Sequence, residues 1–370
     1  MMNHELENPV ISPKRDNKRL IALDAARGLA VIGMFIQHFA LNQGNSFVSG
    51  NTMILFMLCS GISYSIMAQR MTERKTEPAV LRARILARAV FIDFVGYVLI
   101  MLNGPFGVVL PAYAMLFILA LPLIHRSTRT LFTLSCILFL AGPPLMITGL
   151  SLFSGAALLS DIAGGPLSAL GWAPIFVLGM VVGRLDLHRT QTALRFIAVG
   201  FAVLIPSKLF AYFVLPGISQ SFEAWLIQVS NVAATQVDPY AIWPLNTQMP
   251  PWQMLFEDAP QGGSAFELII GMGLSMIILG ILCLIEKKST GILKPFSAVG
   301  RVALTLYALQ FAIVWGLQIA GINIMGINIG AIPFGDVFVA AATLIAGCLL
   351  NYLPNGPLET WIRRFERLFA

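Results

Sequence analysis

An arginine and a histidine stand in the first long apolar stretch of the chain, as Arg27 and His38. An α-helix turns by about 100° per residue, so this spacing corresponds to about three full turns and places both side chains on one face, about 16 Å apart. A neutral histidine can take a proton from a hydroxyl or an amine. A guanidinium can hold a phosphate, a carbonyl or a developing oxyanion. The pair therefore suits acyl transfer from a donor with a long, thin arm.

The elements that position this pair must be membrane helices. Of the 370 residues, 57% are hydrophobic and only 11% are charged. The apolar runs repeatedly approach the roughly 20 residues needed to cross a bilayer. An ionisable side chain at that depth costs between about 2.5 and 17 kcal/mol and indicates a functional site. We predict an all-α, polytopic membrane protein of about ten transmembrane helices, near 21–42, 51–69, 85–103, 107–125, 130–150, 168–184, 193–215, 265–286, 298–320 and 331–352.

The distribution of positive charge predicts the orientation. Lysines and arginines precede the first predicted helix and then recur only in alternate loops, which places both the N- and C-termini in the cytoplasm. The formal charge of +6 matches anionic lipids of the inner leaflet and needs no nucleic acid partner. The polar start lacks the features of a cleavable signal peptide, so we expect the first helix to be a retained anchor.

The chain divides into three predicted regions. Residues 1–20 form a cytoplasmic N-terminal tail, and residues 21–352 form one transmembrane domain with external loops at about 151–167 and 216–264. Residues 353–370 form a basic amphipathic helix that we expect to anchor on the cytoplasmic surface. Pro143 and Pro144 predict a break in the fifth helix. The four cysteines lie in apolar stretches without histidine neighbours at ligand spacing, so we expect neither a disulfide framework nor a metal site.

Further polar side chains fall inside or at the ends of the predicted helices. Such groups must face protein or a water-filled cavity, so we predict a polar cavity within the bundle that opens outward. Asp24 joins Arg27 and His38 in the candidate catalytic group. The candidate substrate-binding residues are Asn42, Lys208, Glu267, Asp336 and Arg301.

Each of these residues also has a structural interpretation. Asp24 and Arg27 could neutralise one another across one helical turn. Arg301 could be an ordinary positive anchor on the cytoplasmic side. Lys208 and Glu267 could form a structural ion pair, or reach toward the outer interface.

His38 could be a satisfied core histidine, although Arg27 on the same face favours a functional role. The sequence contains no GxSxG, HExxH or Walker motif, so serine hydrolase, zincin and nucleotidase functions have no support.

The segment Arg19–Phe39 resembles the first helix of the transmembrane acyltransferase superfamily. That group includes bacterial inner-membrane O-acyltransferases of surface polysaccharides and the lysosomal heparan-alpha-glucosaminide N-acetyltransferase. Leu58–Ile66 is similar to a segment of the second helix in these proteins, and Val299–Gln310 and Asn355–Arg364 resemble the closing segments of a related bacterial branch. The matching positions of the first motif are Leu23, Asp24, Arg27, Gly28, Ala30 and His38.

The resemblance implies a multi-pass enzyme of the bacterial inner membrane. His38 would be the catalytic base, and Arg27 would help to hold acyl-CoA, most simply acetyl-CoA, as co-substrate without a metal. The acceptor would be a hydroxyl or amine of a sugar, glycolipid or small metabolite reached from the non-cytoplasmic side. A secondary transporter or exporter with the same polar cavity is the alternative from another class, and a silent scaffold for a cell-envelope assembly is a third. The sequence does not determine the oligomeric state, and a homo-oligomer is one of the open alternatives.

Overall fold

The computed structural model describes residues 19–153, 156–230, 251–322, 329–352 and 356–369. Regular structure in these ranges is helical throughout, without a strand, which confirms the predicted all-α class. The α-helices are α1 Ile21–Phe39, α2 Asn51–Glu73, α3 Pro78–Met101, α4 Leu110–Leu119, α5 Thr128–Leu152, α6 Ala157–Ala163, α7 Ala169–Val182, α8 Thr190–Phe213, α9 Leu215–Ser230, α10 Ala265–Lys288, α11 Thr290–Arg301, α12 Ala303–Ile319, α13 Gly335–Tyr352 and α14 Pro357–Arg367.

Among the described residues, six helices are long and apolar enough to cross a membrane: α1, α2, α5, α8, α10 and α13. Helices α11 and α12 together pass the same test as one span bent by 59°. Helices α4 and α7 are shorter but apolar. Several apolar helices of this length in one chain are typical of a membrane protein.

Every stretch that was predicted to be a transmembrane helix contains helix, although several boundaries differ, and the end of α1 differs for a local reason. Helix α1 ends three residues before the predicted boundary at residue 42. There Asn42 begins a 3-10 helix, because its side chain accepts from the Asn45 backbone at 3.1 Å while its own backbone N–H donates to the Asn45 side chain at 2.8 Å. Such reciprocal bonds satisfy two backbone groups that a continuing helix would have used.

The break in a membrane helix lies between α11 and α12, and not in α5 as the prolines predicted. Helix α5 continues through Pro143 and Pro144 from Thr128 to Leu152, so the expected break there is wrong. Each proline removes only its own N–H donor, and the other bonds of this long helix remain. The break lies instead at Val302, where the single predicted helix at 298–320 divides into α11 and α12.

Helices α1 and α11 touch backbone to backbone. A Cβ atom added to Gly28 would overlap the Phe296 carbonyl oxygen, and one added to Gly300 would overlap the Asp24 carbonyl oxygen. The two glycines therefore permit a crossing that no larger residue would allow. Each is the chain neighbour of an arginine, Arg27 on α1 and Arg301 on α11, so the crossing sets the relative position of these two residues.

The C-terminal helix α14 packs against the bundle, with contacts to α3 and α12. Glu359 is partly buried against α12, whereas Trp361 and Leu368 are 57% and 77% exposed. The expected anchoring of this helix on a membrane surface stays a prediction. Ile362 is the buried apolar residue of this helix.

The predicted loops are partly helical. The segment 151–167 contains α6, and the segment 216–264 contains most of α9 and the 3-10 helix Trp252–Phe256. Residues 231–250 of the second loop lie outside the described residues, as does nearly all of the predicted tail at 1–20.

Candidate functional site

A cavity of about 320 Å³ lies among α1, α2, α3, α4, α7, α11, α12 and α14. Arg27 and His38 both line it, so the helix face that they share is the face turned to the cavity. Their separation along α1 is about 16 Å. We call the region around His38 the histidine end. The opposite region, the arginine end, is lined by Arg27, Arg88, Arg301 and Arg363.

At the histidine end, a buried amide fixes the imidazole. Nδ1 of His38 lies 2.9 Å from Oε1 of Gln310, a residue with no exposed surface. An amide oxygen only accepts hydrogen bonds, so Nδ1 carries the proton and Nε2 keeps its lone pair. The imidazole also stacks on Phe106, with ring centroids 4.1 Å apart. The ring is therefore held in one orientation and one tautomer, with Nε2 able to act as a base.

The loop that carries Phe106 is hydrogen-bonded to α12 through Tyr307. The Tyr307 hydroxyl accepts from the Val109 backbone at 3.1 Å and donates to the Gly107 carbonyl at 3.4 Å. Tyr307 lies one helical turn from Gln310 on α12. One helix face thus holds both the partner of His38 and the loop against which the imidazole stacks.

A second polar group in the cavity wall is the indole N–H of Trp172. This side chain has no exposed surface, and its Nε1 has no hydrogen-bond partner among the described residues. A buried donor without a partner costs about 1–3 kcal/mol. Trp172 thus contributes a buried, unsatisfied donor next to the cavity that its side chain lines.

The middle of the cavity is aromatic. Tyr113 lies 6.0 Å from Phe56 and 4.9 Å from Phe117, measured between ring centroids, and all three line the cavity. Polar groups thus occur at the two ends, while the wall between them suits an apolar or thin connecting segment of a ligand.

At the arginine end, Arg27 is fixed by two partners. Its Nη1 lies 3.3 Å from the Asp24 carboxylate, and its Nη2 donates to the Ser63 hydroxyl. Asp24 is buried and also receives Arg19 at 2.6 Å. Asp24 does not line the cavity, so its position is that of a residue that orients Arg27.

The other three arginines leave positive charge at this end. Nε of Arg301 is buried without a hydrogen-bond partner among the described residues. Arg88 pairs with Glu366 at 2.5 Å, and Nε of Arg363 donates to the Glu359 backbone carbonyl at 3.0 Å. Glu359 is the carboxylate that lines the cavity here, and burial raises the pKa of its side chain. Four guanidinium groups meet three carboxylates, Asp24, Glu359 and Glu366, so this end keeps an excess of positive charge that favours an anion.

Two predicted substrate-binding residues lie away from the cavity on the side of α8 and α10. Lys208 pairs with Asp258 at 3.7 Å rather than with Glu267. Glu267 is buried and accepts backbone N–H groups of Gln261 at 2.5 Å and of Gly263 at 2.8 Å. This carboxylate therefore holds the loop before α10, which is a structural position.

Asn42 and Asp336 also lie outside the cavity lining. Asn42 caps the 3-10 helix with Asn45 and donates to the Gly330 carbonyl at 3.4 Å. Asp336 receives the Asn45 side-chain amide at 3.3 Å. Of the five predicted substrate-binding residues, Arg301 is the one that lines the cavity.

Sequence reasoning missed several cavity residues. Arg88 and Arg363 were read only as positive charges of cytoplasmic segments. The sequence could have indicated Gln310, since an amide inside an apolar helix needs a hydrogen-bond partner. It could not have indicated Trp172, because tryptophans are common in membrane helices.

No metal centre is apparent in the described ranges. They contain no group of three or more histidine, cysteine or acidic side chains that could hold a metal ion. The four cysteines are free thiols, and two of them, Cys59 and Cys283, are buried. The charged side chains that line the cavity are the four arginines and Glu359.

The sequence of residues 239–368 matches a family described as "Protein of unknown function (DUF418)". This region is less than half of the chain and carries Arg301, Gln310, Glu359 and Arg363, whereas Arg27 and His38 precede it. No curated protein matches the chain. The matched region therefore contributes one wall of the cavity, and the family description gives no activity.

Proposed function

We propose that the protein is a membrane-embedded acyltransferase. It would move an acetyl or another acyl group from acyl-CoA to a hydroxyl or amine of a sugar, glycolipid or small metabolite. The observation that supports this function is a single cavity with an imidazole base at one end and four guanidinium groups at the other. Acyl-CoA carries its phosphates and its thioester at opposite ends of a long, thin arm, which suits a separation of about 16 Å along α1.

The proposal includes a topology of ten spans in the bacterial inner membrane, with both termini in the cytoplasm. Six helices and the bent pair α11–α12 meet the criteria for a span, and α3, α4 and α7 would complete the ten. The alternation of basic loops supports this arrangement. The arginine end then faces the cytoplasm, where acyl-CoA is made, and the histidine end faces the acceptor.

The chemical step follows from the tautomer of His38. Nε2 takes the proton of the acceptor O–H or N–H as that oxygen or nitrogen attacks the thioester carbonyl carbon. The carbon–sulfur bond breaks, and the CoA thiolate leaves with the proton from the imidazolium. Gln310 keeps Nδ1 protonated and so keeps Nε2 pointed at the reacting atoms.

The arginine end would bind the donor. Arg27 and Arg301 can each donate two hydrogen bonds to phosphate oxygens, a geometry that lysine cannot provide. Asp24 holds Arg27 in place. The cavity volume lies near the lower limit for ligand pockets, so it would admit the thin arm while the nucleotide stays outside.

The test is transfer of radiolabelled acetyl from acetyl-CoA to a panel of amino sugars and glycolipids by the purified protein in lipid nanodiscs. Wild type should acetylate one or more acceptors, and His38→Ala should not. His125→Ala is the matched control, since His125 is exposed and outside the cavity. Wild-type transfer by folded His38→Ala would contradict the proposal.

A transporter is the second candidate, because the bend of 59° at Val302 lies beside Arg301. Discontinuous helices commonly form transporter binding sites, with a helix N-terminus facing an anionic substrate. Acetyl-CoA-dependent product formation in nanodiscs, where no gradient exists, supports the enzyme. Uptake or release of an anion by proteoliposomes without product formation supports the transporter.

A further inference from the structure

The chain's own C-terminal helix forms part of the arginine end of the cavity. Glu359, Ile362 and Arg363 of α14 line the cavity wall there. A bulky anionic group that approached Arg301 from this side would meet α14 first. Movement of α14 would widen this end for such a ligand.

The Glu359 carboxylate is bound at the N-terminus of α12 in the way that a ligand's anionic group would be bound. Its Oε1 accepts from the Thr305 backbone N–H at 3.0 Å, and its Oε2 accepts from the Thr305 hydroxyl at 2.5 Å. Thr305 lies in the first turn of α12, whose backbone N–H groups have no partner within the helix. A helix N-terminus beside arginines favours a negative group, and here a side chain of the same protein supplies it.

The attachment of α14 is mainly polar. Arg88 holds Glu366 at 2.5 Å, and Thr305 holds Glu359. Ile362 is the buried apolar residue, with a ring contact between Phe91 and Phe365 at 5.9 Å. Two carboxylate contacts can be exchanged for contacts with another anion, whereas a large buried apolar face could not.

We propose that α14 is a displaceable cap whose Glu359 carboxylate occupies the position that a ligand's phosphate takes when α14 moves away. The inference rests on the proposed function for the identity of the ligand, acyl-CoA, but not for the site itself. Displacement frees Thr305 and Arg88 and carries Arg363 away with α14, so the ligand is then held by Arg27, Arg88 and Arg301. The uncovered helix carries exposed Trp361 and Leu368 beside Arg364 and Arg367, a combination that favours an anionic lipid surface.

The cap predicts that removal of the Glu359 charge tightens ligand binding. If Glu359 competes with the ligand, its removal lowers the apparent Kd, because the apparent Kd is the intrinsic Kd divided by the uncapped fraction. The loss of a negative charge beside the site would also favour an anion while α14 stays in place, so the tether in the second measurement tests the movement itself.

The first measurement is calorimetric binding of two probes, acetyl-CoA and inorganic pyrophosphate, to the full-length protein. Glu359→Gln keeps the size of the side chain and removes its charge, and should tighten binding of the probes about threefold to tenfold. Glu77→Gln is the matched control, since Glu77 is exposed and precedes α3 outside the cavity. Unchanged or weaker binding by folded Glu359→Gln overturns the cap.

The second measurement locks the helix without altering the arginines. Phe91→Cys and Phe365→Cys are joined by a thiol-cleavable bis-maleimide, in a chain where Cys136 and Cys348 are replaced by serine. The tether should weaken binding of the probes about tenfold or more, and cleavage should restore it. Equal binding with the tether intact and cleaved overturns the cap.

The two probes separate this inference from the proposed function. Pyrophosphate binding that responds to Glu359→Gln and to the tether, without acetyl-CoA binding, supports the cap and contradicts the acyl-CoA donor. Acetyl-CoA binding that responds to neither contradicts the cap and leaves the acyltransferase in place. Binding of neither probe to any variant overturns both.

Discussion

The two ends of the cavity are built in different ways. At the histidine end, His38 is held by a neutral amide and an aromatic ring, and its partner Gln310 has no exposed surface. At the arginine end, Arg27 and Arg88 pair with carboxylates on α1 and α14, Arg363 donates to a backbone carbonyl, and Nε of Arg301 has no partner among the described residues. A site that moves protons benefits from fixed, neutral partners, since a nearby charge would alter the basicity of the imidazole. A site that captures an anion benefits from accumulated charge.

The comparison predicts that variants at the two ends change different measurements. The largest effect is expected for His38→Ala, which should lower transfer by about 10²–10⁴-fold because the general base is lost. Binding of acetyl-CoA, measured by calorimetry, should stay within error of wild type. A large loss of binding would show that the two ends are not separate.

Arg301→Leu should produce the reverse pattern. Loss of one charge-assisted contact is worth about 1.5–3 kcal/mol, which corresponds to roughly a tenfold to hundredfold weaker Kd for acetyl-CoA. The rate at saturating donor should change little. Arg195→Leu is a suitable control, because Arg195 lies in α8 outside the cavity. A fall in the saturated rate without a change in Kd would contradict the assignment.

Gln310→Leu tests whether the hydrogen bond from His38 to a neutral amide contributes to transfer. The variant removes the acceptor of the Nδ1 proton, and a neutral hydrogen bond is worth about 0.5–1.5 kcal/mol, so transfer should fall by about twofold to tenfold. The pH dependence of transfer should shift, since both tautomers of His38 become populated. Gln318→Leu, on the exposed part of the same helix, is the control and should behave as wild type.

The smallest effect is expected for Trp172→Phe, which removes one buried N–H donor and keeps an aromatic ring. If the indole binds an acceptor atom of the donor's arm, affinity for acetyl-CoA should fall about twofold to tenfold, with pyrophosphate binding unchanged. Trp225→Phe, at an exposed position of α9, should affect neither probe. Equal loss for both probes would place the effect at the arginine end.

Helical periodicity was sufficient for the features that depend on one helix. The apolar runs predicted where the helices lie, and the spacing within α1 predicted that Arg27 and His38 face one cavity. Contacts between distant segments cannot be predicted from the periodicity of a single helix. Gln310 meets His38 across 272 positions of sequence, and the break at Val302 contains no proline to announce it.

Polar residues near helix ends were overinterpreted for a physical reason. Asn42 and Glu267 satisfy backbone groups of their own loops, which is a common use of such side chains. Amphipathicity could not predict the contact between Glu359 and α12, because this contact depends on backbone N–H groups in the first turn of a distant helix.

If the arginine end binds an anion as proposed, the contact between Gly28 and Gly300 sets the spacing of its charges through the main chain. With no side chain between the helices, the gap between the Arg27 and Arg301 guanidinium groups depends on where the two backbones cross. Alanine at either position would push the helices apart and widen this gap without removing either charge. Under the proposed function, such a variant should favour wider anions while every charged residue stays in place.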